Sequence, residues 1–289
     1  MTPLVSVIIP AHNESAVLGR LLHELAQPPL RDSMEIIVVA NGCTDDTARV
    51  AGSVHDSIRV LDIAEGSKTA ALNAGDRHAT VFPRVYVDAD VLIAQEAVLE
   101  LAATLSQPGA FIASPRLIVE TAGASWAVKQ HYRLWELTHY RRTAHIGSGV
   151  YALSRAGRER FADWPPVIAD DRFVQLLFSI QERRTLSESV FVVHSPRTLR
   201  AQLRRAVRIA RGNRELAEMS ASSSDSGSLP GSSALLHLLT QVAGKPSLWP
   251  GFVIYAVTNL TARIWAEVEI RTHRPRIWHR DDTTRTADD

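Results

Sequence analysis

From Leu4 to Val91 the chain alternates short apolar runs with helix-patterned segments, and the runs end on polar side chains. Leu4 to Ile9 is a β-branched run closed by Pro10, and Ser15 to Ala26 follows with Val17, Leu21, Leu22 and Leu25 on one helical face. Glu35 to Val39 reads as a second strand, and after the turn-forming pair Asn41-Gly42 a helix begins near Asp45. Ile58 to Ile63, Ser67 to His78 and Arg84 to Val87 continue as strand, helix and strand. This alternation predicts an α/β fold with a mostly parallel sheet flanked by helices. Unbroken runs such as EIIVVA fit strands buried on both faces. Open sheets of this kind bind ligands at the carboxyl ends of their strands. His12, Asn13 and Glu14 stand there after the first strand, Asn41 after the second, and Asp88 and Asp90 after the fourth.

Beyond Ala110 the pattern loosens. Phe111 to Val119 reads as a strand, Trp126 to Tyr140 as a helix and Gly147 to Ser154 as a strand opened by glycine. Phe173 to Gln181 is helical, Ser189 to His194 a strand, and Leu199 to Met219 an Arg-rich helix. The expected organisation is a domain over 1–216 with halves 1–110 and 111–216, a flexible Ser/Gly-rich loop over 217–233, and a C-terminal helical segment with a polar tail over 234–289. A formal net charge of +1 argues against a nucleic-acid partner. Cys43 is the single cysteine, which rules out an intrachain disulfide and fits a reducing, cytoplasmic setting. The N-terminal MTPLVSVIIP lacks a basic leader and reads as a first strand.

The stretch VYVDADV carries the sharpest chemical signal. In an extended chain Asp88 and Asp90 point to one side and repel unless a positive group lies between them. Mg²⁺ or Mn²⁺ prefers carboxylate oxygens and shares its shell with substrate phosphates. The bland alternative is a solvated acidic turn.

Four stretches in chain order, SVIIPAHNE, VVANGCTDDT, GSKTAALNAG and VYVDADV, together resemble the inverting glycosyltransferases of family 2, which have the GT-A fold. VIADDRFVQ resembles that family's acidic pair and RRAVRIARG its Arg-bearing helix, so the likeness runs over roughly residues 4 to 213. The resemblance implies a nucleotide-sugar donor, a hydroxyl acceptor and a Mg²⁺ or Mn²⁺ cofactor. It implies that Pro10, Ala11, Asn13 and Glu14 line the nucleotide pocket with Asn41, which stands where many relatives have aspartate and leaves the nucleobase open. Lys68 would reach a phosphate or the base edge, and Asp88, Ala89 and Asp90 would meet the donor through the ion. Asp171 would be the general base and Asp170 its orienting partner, one methylene shorter than the usual glutamate. Asp45 and the acid pair 170–171 also suit helix N-termini on structural grounds alone. His194 would complete the metal shell, and Arg205 and Arg208 would clamp the diphosphate from one helix face.

Leu248 to Ala262 is uncharged, but it is short for a membrane span and is followed by Arg263. With Trp249, Trp265 and Trp278 nearby, residues 248–270 suit peripheral contact with the inner face of a cell membrane, as a cell-envelope polysaccharide enzyme with a lipid-linked acceptor would need. They suit a homodimer interface as well. Two rival functions remain from sequence: a sugar nucleotidyltransferase, against which the missing Gly/Arg-rich phosphate loop in PAHNESAVLGR counts, and a non-catalytic scaffold on the same fold.

Overall fold

The computed structural model describes residues 2–138, 141, 146–221 and 232–272. Tyr140, residues 222–231 of the Ser/Gly-rich stretch and the tail with Trp278 lie outside the described residues.

The expected alternation is present: β1 Val5–Ala11, α1 Leu18–Leu25, β2 Met34–Asn41, α2 Thr47–Val54, β3 Arg59–Ile63, α3 Lys68–His78 and β4 Arg84–Val87. A three-residue strand β5, Val91–Ile93, and a helix α4, Gln95–Leu105, come next. The second half holds β6 Ile112–Glu120, α5 Trp126–Trp135, β7 Val150–Leu153, the single turn α6 Arg155–Arg158, α7 Asp170–Leu176 and β8 Arg183–His194. Three long helices complete the chain: α8 Leu199–Ala221, α9 Ser232–Val242 and α10 Trp249–Arg271. Helix α8 runs on past residue 216, and α5 stops earlier than the sequence reading extended it.

One eight-stranded sheet runs β3-β2-β1-β4-β7-β6-β8-β5. The pairs β3–β2, β2–β1, β1–β4 and β6–β8 are parallel, whereas β7 and β5 pair antiparallel with their neighbours. Strand β1 shows why both faces are covered. Val5, Val7, Ile9 and Ala11 pack in one core with α1 and α4, while Ile8 faces the other with Leu72 of α3 and Tyr86. Alternation along a pleated strand produces this division. Gly75 lets α3 sit close to β1, since a Cβ there would lie 2.4 Å from Ile8 Cγ2.

Beneath the second core lies a buried polar hub. Asp76 Oδ1 accepts from Arg84 at 2.7 Å and from Tyr86 OH at 2.9 Å; Oδ2 accepts from Arg158 at 2.6 Å and Trp164 Nε1 at 2.9 Å. A fully satisfied buried carboxylate fixes the elements that meet on it. Asn73 adds two bonds to the backbone of Trp164. Helix α3 is thereby locked to the second half of the domain.

Candidate active site

The parallel strands β1, β2 and β4 end at one edge of the sheet, and their terminal turns build one side of the site. Asn13 sits there with φ 55°, a left-handed conformation asparagine adopts more readily than most residues. Its Oδ1 accepts from the backbone N–H of Thr44 at 2.7 Å and of Asp45 at 3.2 Å. Burial would raise the Asp45 carboxyl, but hydrogen bonds from Thr47 and Ser15 outweigh it and hold the group below the usual carboxylate range. Asp45 accepts from Thr47 N–H, so its structural reading as the start of α2 agrees with the geometry. Glu14 is buried, its backbone N–H donating to Thr47 Oγ1 at 2.8 Å. Pro10 and Ala11 are buried strand residues paired with Val39 and Ala40. Asn41 is buried too: its Nδ2 donates to Ala11 O at 2.9 Å, and its Oδ1 finds no hydrogen-bond partner among the described residues.

The acids converge on one lysine. Ser67 caps α3, its Oγ accepting from Ala70 N–H at 3.2 Å, which makes Lys68 the first helical residue. Lys68 Nζ lies 2.6 Å from Asp88 Oδ1 and 2.9 Å from Asp170 Oδ1. Burial alone would depress the ammonium, but the charges of Asp170, Asp88 and Asp171 overcome it and hold Lys68 above its ordinary range. For Asp88 the balance goes the other way. Burial pushes its carboxyl up to about 6, with Lys68 opposing and the charges of Asp170 and Asp90 adding to the rise.

The geometry of the acidic tripeptide differs from an extended strand. Val91 N–H donates to Asp88 O at 3.1 Å, so residues 88–91 form a tight turn. Ala89 points into the core and is 4 % exposed. The positive group beside Asp88 is Lys68, which joins it to Asp170 rather than to Asp90. The β5–β8 ladder ends with Val91 opposite Val193, and His194 pairs with Glu120 of β6. Among the described residues no group of three or more His, Cys, Asp or Glu side chains is arranged to hold a metal ion.

Asp170 is anchored, its side chain 3 % exposed, with Oδ2 accepting from Tyr151 OH at 3.0 Å. Burial, and then the Asp170 charge, hold the Tyr151 phenol well above its ordinary range. Asp171 is half-buried; its Oδ2 accepts from Ser148 N–H at 2.8 Å and its Oδ1 from Arg172 N–H at 2.7 Å. Residues Gly147, Ser148 and Gly149 all have positive φ, at 101°, 63° and 118°. A Cβ on Gly147 would lie 2.6 Å from Asp171 Cβ, and Gly149 O accepts from Asp88 N–H at 2.8 Å. This strap ties the two acidic centres together. Sequence reading took it for the opening of a strand, because nothing local reveals a partner 23 residues away.

Arg205 and Arg208 lie on α8. Arg205 is half-buried and its charge acts on His131, while Arg208 is exposed. The helix packs on the segment before the acid pair, a Cβ on Gly212 falling 3.2 Å from the Cβ atoms of Ile168 and Ala169.

With this geometry in place, the comparisons give the class. The family model for glycosyl transferase family 2 matches residues 6–163, more than half of the chain, and the chain belongs to that family. Asp170, Asp171, His194, Arg205 and Arg208 lie beyond the matched residues. Over 100 residues, a third of this chain, it is 37% identical to a 4,4'-diaponeurosporenoate glycosyltransferase of Staphylococcus aureus, and the match spans 26% of that relative's length. Among solved structures it is similar to a mannosyltransferase from Pyrobaculum calidifontis in complex with GDP-Man and Mn²⁺, with a TM-score of 0.65, 20% identity, and coverage of 95% of this chain and 89% of that one. It is also similar to glucosyl-3-phosphoglycerate synthase from Mycobacterium tuberculosis in complex with Mn²⁺, UDP and glucosyl-3-phosphoglycerate, with a TM-score of 0.53, 21% identity, and coverage of 77% and 81%. The fold is that of these glycosyltransferases, GT-A, as the sequence resemblance implied.

Proposed function

We propose that this chain transfers a sugar from a nucleotide-sugar donor to a hydroxyl acceptor with inversion at the anomeric carbon. The observation that carries the reading is the Lys68 bridge from Asp88 to the buried Asp170, with Asp171 beside it at the end of a helix dipole. Asp171 accepts the proton of the acceptor hydroxyl. The freed oxygen attacks the anomeric carbon opposite the departing nucleoside diphosphate, and the bond to the phosphate oxygen breaks as the new glycosidic bond forms. Asp170, held between Lys68 and Tyr151, orients the helix that presents Asp171. Lys68 supplies positive charge where the diphosphate would sit.

Carboxylate oxygens are the donor type that a hard divalent ion takes. Lys68 contacts both Asp88 and Asp170, so the site holds more carboxylate than one ammonium balances. Asp88 and Asp90, with His194, would hold Mg²⁺ or Mn²⁺. Such an ion, when bound, assists the leaving phosphate as a Lewis acid. Pro10, Ala11, Asn13, Glu14 and Asn41 surround the nucleoside in this reading, with Arg205 and Arg208 toward the diphosphate. Asn41 Oδ1 remains as an acceptor for a base N–H. The apolar acid in the name of the Staphylococcus aureus relative supports a lipid-borne acceptor, and such an acceptor would bring the enzyme to a membrane surface.

The test is Asp171→Asn, assayed for sugar transfer and for donor binding with Mn²⁺. Loss of transfer with donor affinity kept is expected; full transfer would remove Asp171 as the base.

A further inference from the structure

Helix α7 carries Asp171 but is short and uncapped. It runs from Asp170 to Leu176, and its N-cap residue Ala169 supplies no side-chain bond to the first turn. Val174 and Phe178 hold its far end in the apolar cluster that contains Tyr86, Tyr151 and Trp164. The near end is held through Asp170. One of its oxygens, Oδ1, lies 2.9 Å from Lys68 Nζ, and the other, Oδ2, accepts from Tyr151 OH at 3.0 Å.

The two anchors differ in kind. Lys68 ends a flexible four-carbon stem, also contacts Asp88 at 2.6 Å, and turns to the donor diphosphate in the proposed reaction. Tyr151 has no such freedom. It lies within β7, opposite Tyr86 of β4 in the antiparallel ladder. Its ring stacks on Tyr86 with centroids 5.1 Å apart and planes 26° from parallel, and Trp164 flanks it at 6.1 Å. Both neighbours are fixed in turn by Asp76, which accepts from Tyr86 OH and from Trp164 Nε1, each at 2.9 Å. All three rings are buried. The sheet register and the Asp76 hub together therefore place the Tyr151 hydroxyl. Because the phenol is held above its ordinary range, it keeps its proton and donates.

Building on the catalytic reading above, we propose that Tyr151 is a positioning residue for sugar transfer. It keeps Asp170, and through the first turn of α7 the base Asp171, in place when Lys68 moves to the donor. Without the hydroxyl, donor binding would take the remaining anchor from Asp170, and the uncapped turn would shift under Asp171.

The experiment compares Tyr151→Phe with Tyr86→Phe. Each removes one buried phenol hydroxyl from a carboxylate and keeps the ring, so both should lower Tm by a similar few degrees. Hydrolysis is followed with Mn²⁺ and the nucleotide sugar that the wild type turns over fastest among UDP- and GDP-sugars. Tyr151→Phe should lower kcat on the order of tenfold or more with donor KM within about twofold, because the base is misplaced while the donor contacts remain. Tyr86→Phe should keep kcat within about twofold. Crystal structures of both variants with Mn²⁺ and that donor read the same effect without turnover: α7 should shift at Asp170 and Asp171 in Tyr151→Phe alone. Equal kcat losses in the two variants, or an unmoved α7 in Tyr151→Phe, would overturn the proposal. Asp171→Asn measured alongside separates the two levels. If it loses hydrolysis while Tyr151→Phe keeps it, the positioning role alone fails; if it keeps full hydrolysis, the base assignment fails and the positioning role with it.

Discussion

Removing the Lys68 ammonium is the most informative perturbation of the site. In Lys68→Met, Asp88, Asp170 and Asp171 lose their shared counter-charge while the side chain keeps its length. At the two observed separations of 2.6 and 2.9 Å, each attraction is worth about 6 kcal/mol before desolvation at an effective dielectric of about 20. Burying the ammonium offsets most of that, and stripping one partner from a buried pair costs about 3–5 kcal/mol net. The lower end applies here, because Asp88 is 36 % exposed and water screens its share. We expect about 3 kcal/mol at pH 8, a fall in Tm of roughly 6–10 °C for a chain of this size. At pH 5 the loss should shrink, because Asp88, already pushed up to about 6, takes a proton and relieves the repulsion. Added Mn²⁺ should raise the Tm of the variant more than that of the wild type, since a cation replaces the missing charge. The assay is calorimetry at both pH values with and without Mn²⁺. An unchanged Tm at pH 8, or equal Mn²⁺ shifts in the two proteins, would refute the reasoning.

Three further outcomes are expected. Gly147→Ala forces a Cβ onto Asp171, so kcat should fall on the order of a hundredfold for a displacement of about 1 Å while donor KM changes little; steady-state kinetics reads the split. Asp76→Asn leaves Arg84 and Arg158 without their buried carboxylate charge and should cost about 3–5 kcal/mol in urea unfolding. Asp88 binds its proton more tightly folded, at about 6, than unfolded near the model-peptide value of about 3.9. Its protonation therefore favours folding at low pH, and that contribution disappears as pH rises through about 6; Asp88→Asn should flatten stability between about pH 4 and 6.

The first half of the fold was legible because its strands are buried on both faces and its helices on one. Val5 to Ile9 and Ile36 to Val39 carry no polar interruption except Ser6, which bonds to Glu35. Strand ends therefore announced themselves through His12, Asn41 and Asp88. Helix α4 escaped notice because its buried face is partly alanine, Ala97 and Ala102 beside Val98 and Leu101, a weak contrast against its neighbours. The acid pair at 170–171 could be named from the sequence, but its setting could not. The bond from Lys68 to Asp170 spans about a hundred residues, and the positive φ of Ser148 has no signature in a serine. The inner face of α10 was equally hidden: the apolar content of Leu248 to Ala262 was plain, whereas the choice of small residues for that face depends on how closely α5 approaches.

The most direct measurement is a crystal structure of the chain with Mn²⁺ and a nucleotide-sugar donor, using the anomalous signal of the metal to locate it. The account predicts a manganese peak between the carboxylates of Asp88 and Asp90 and the donor diphosphate, with Lys68 drawn toward the phosphates. A diphosphate bound away from these residues, with no metal peak beside Asp88, would contradict it.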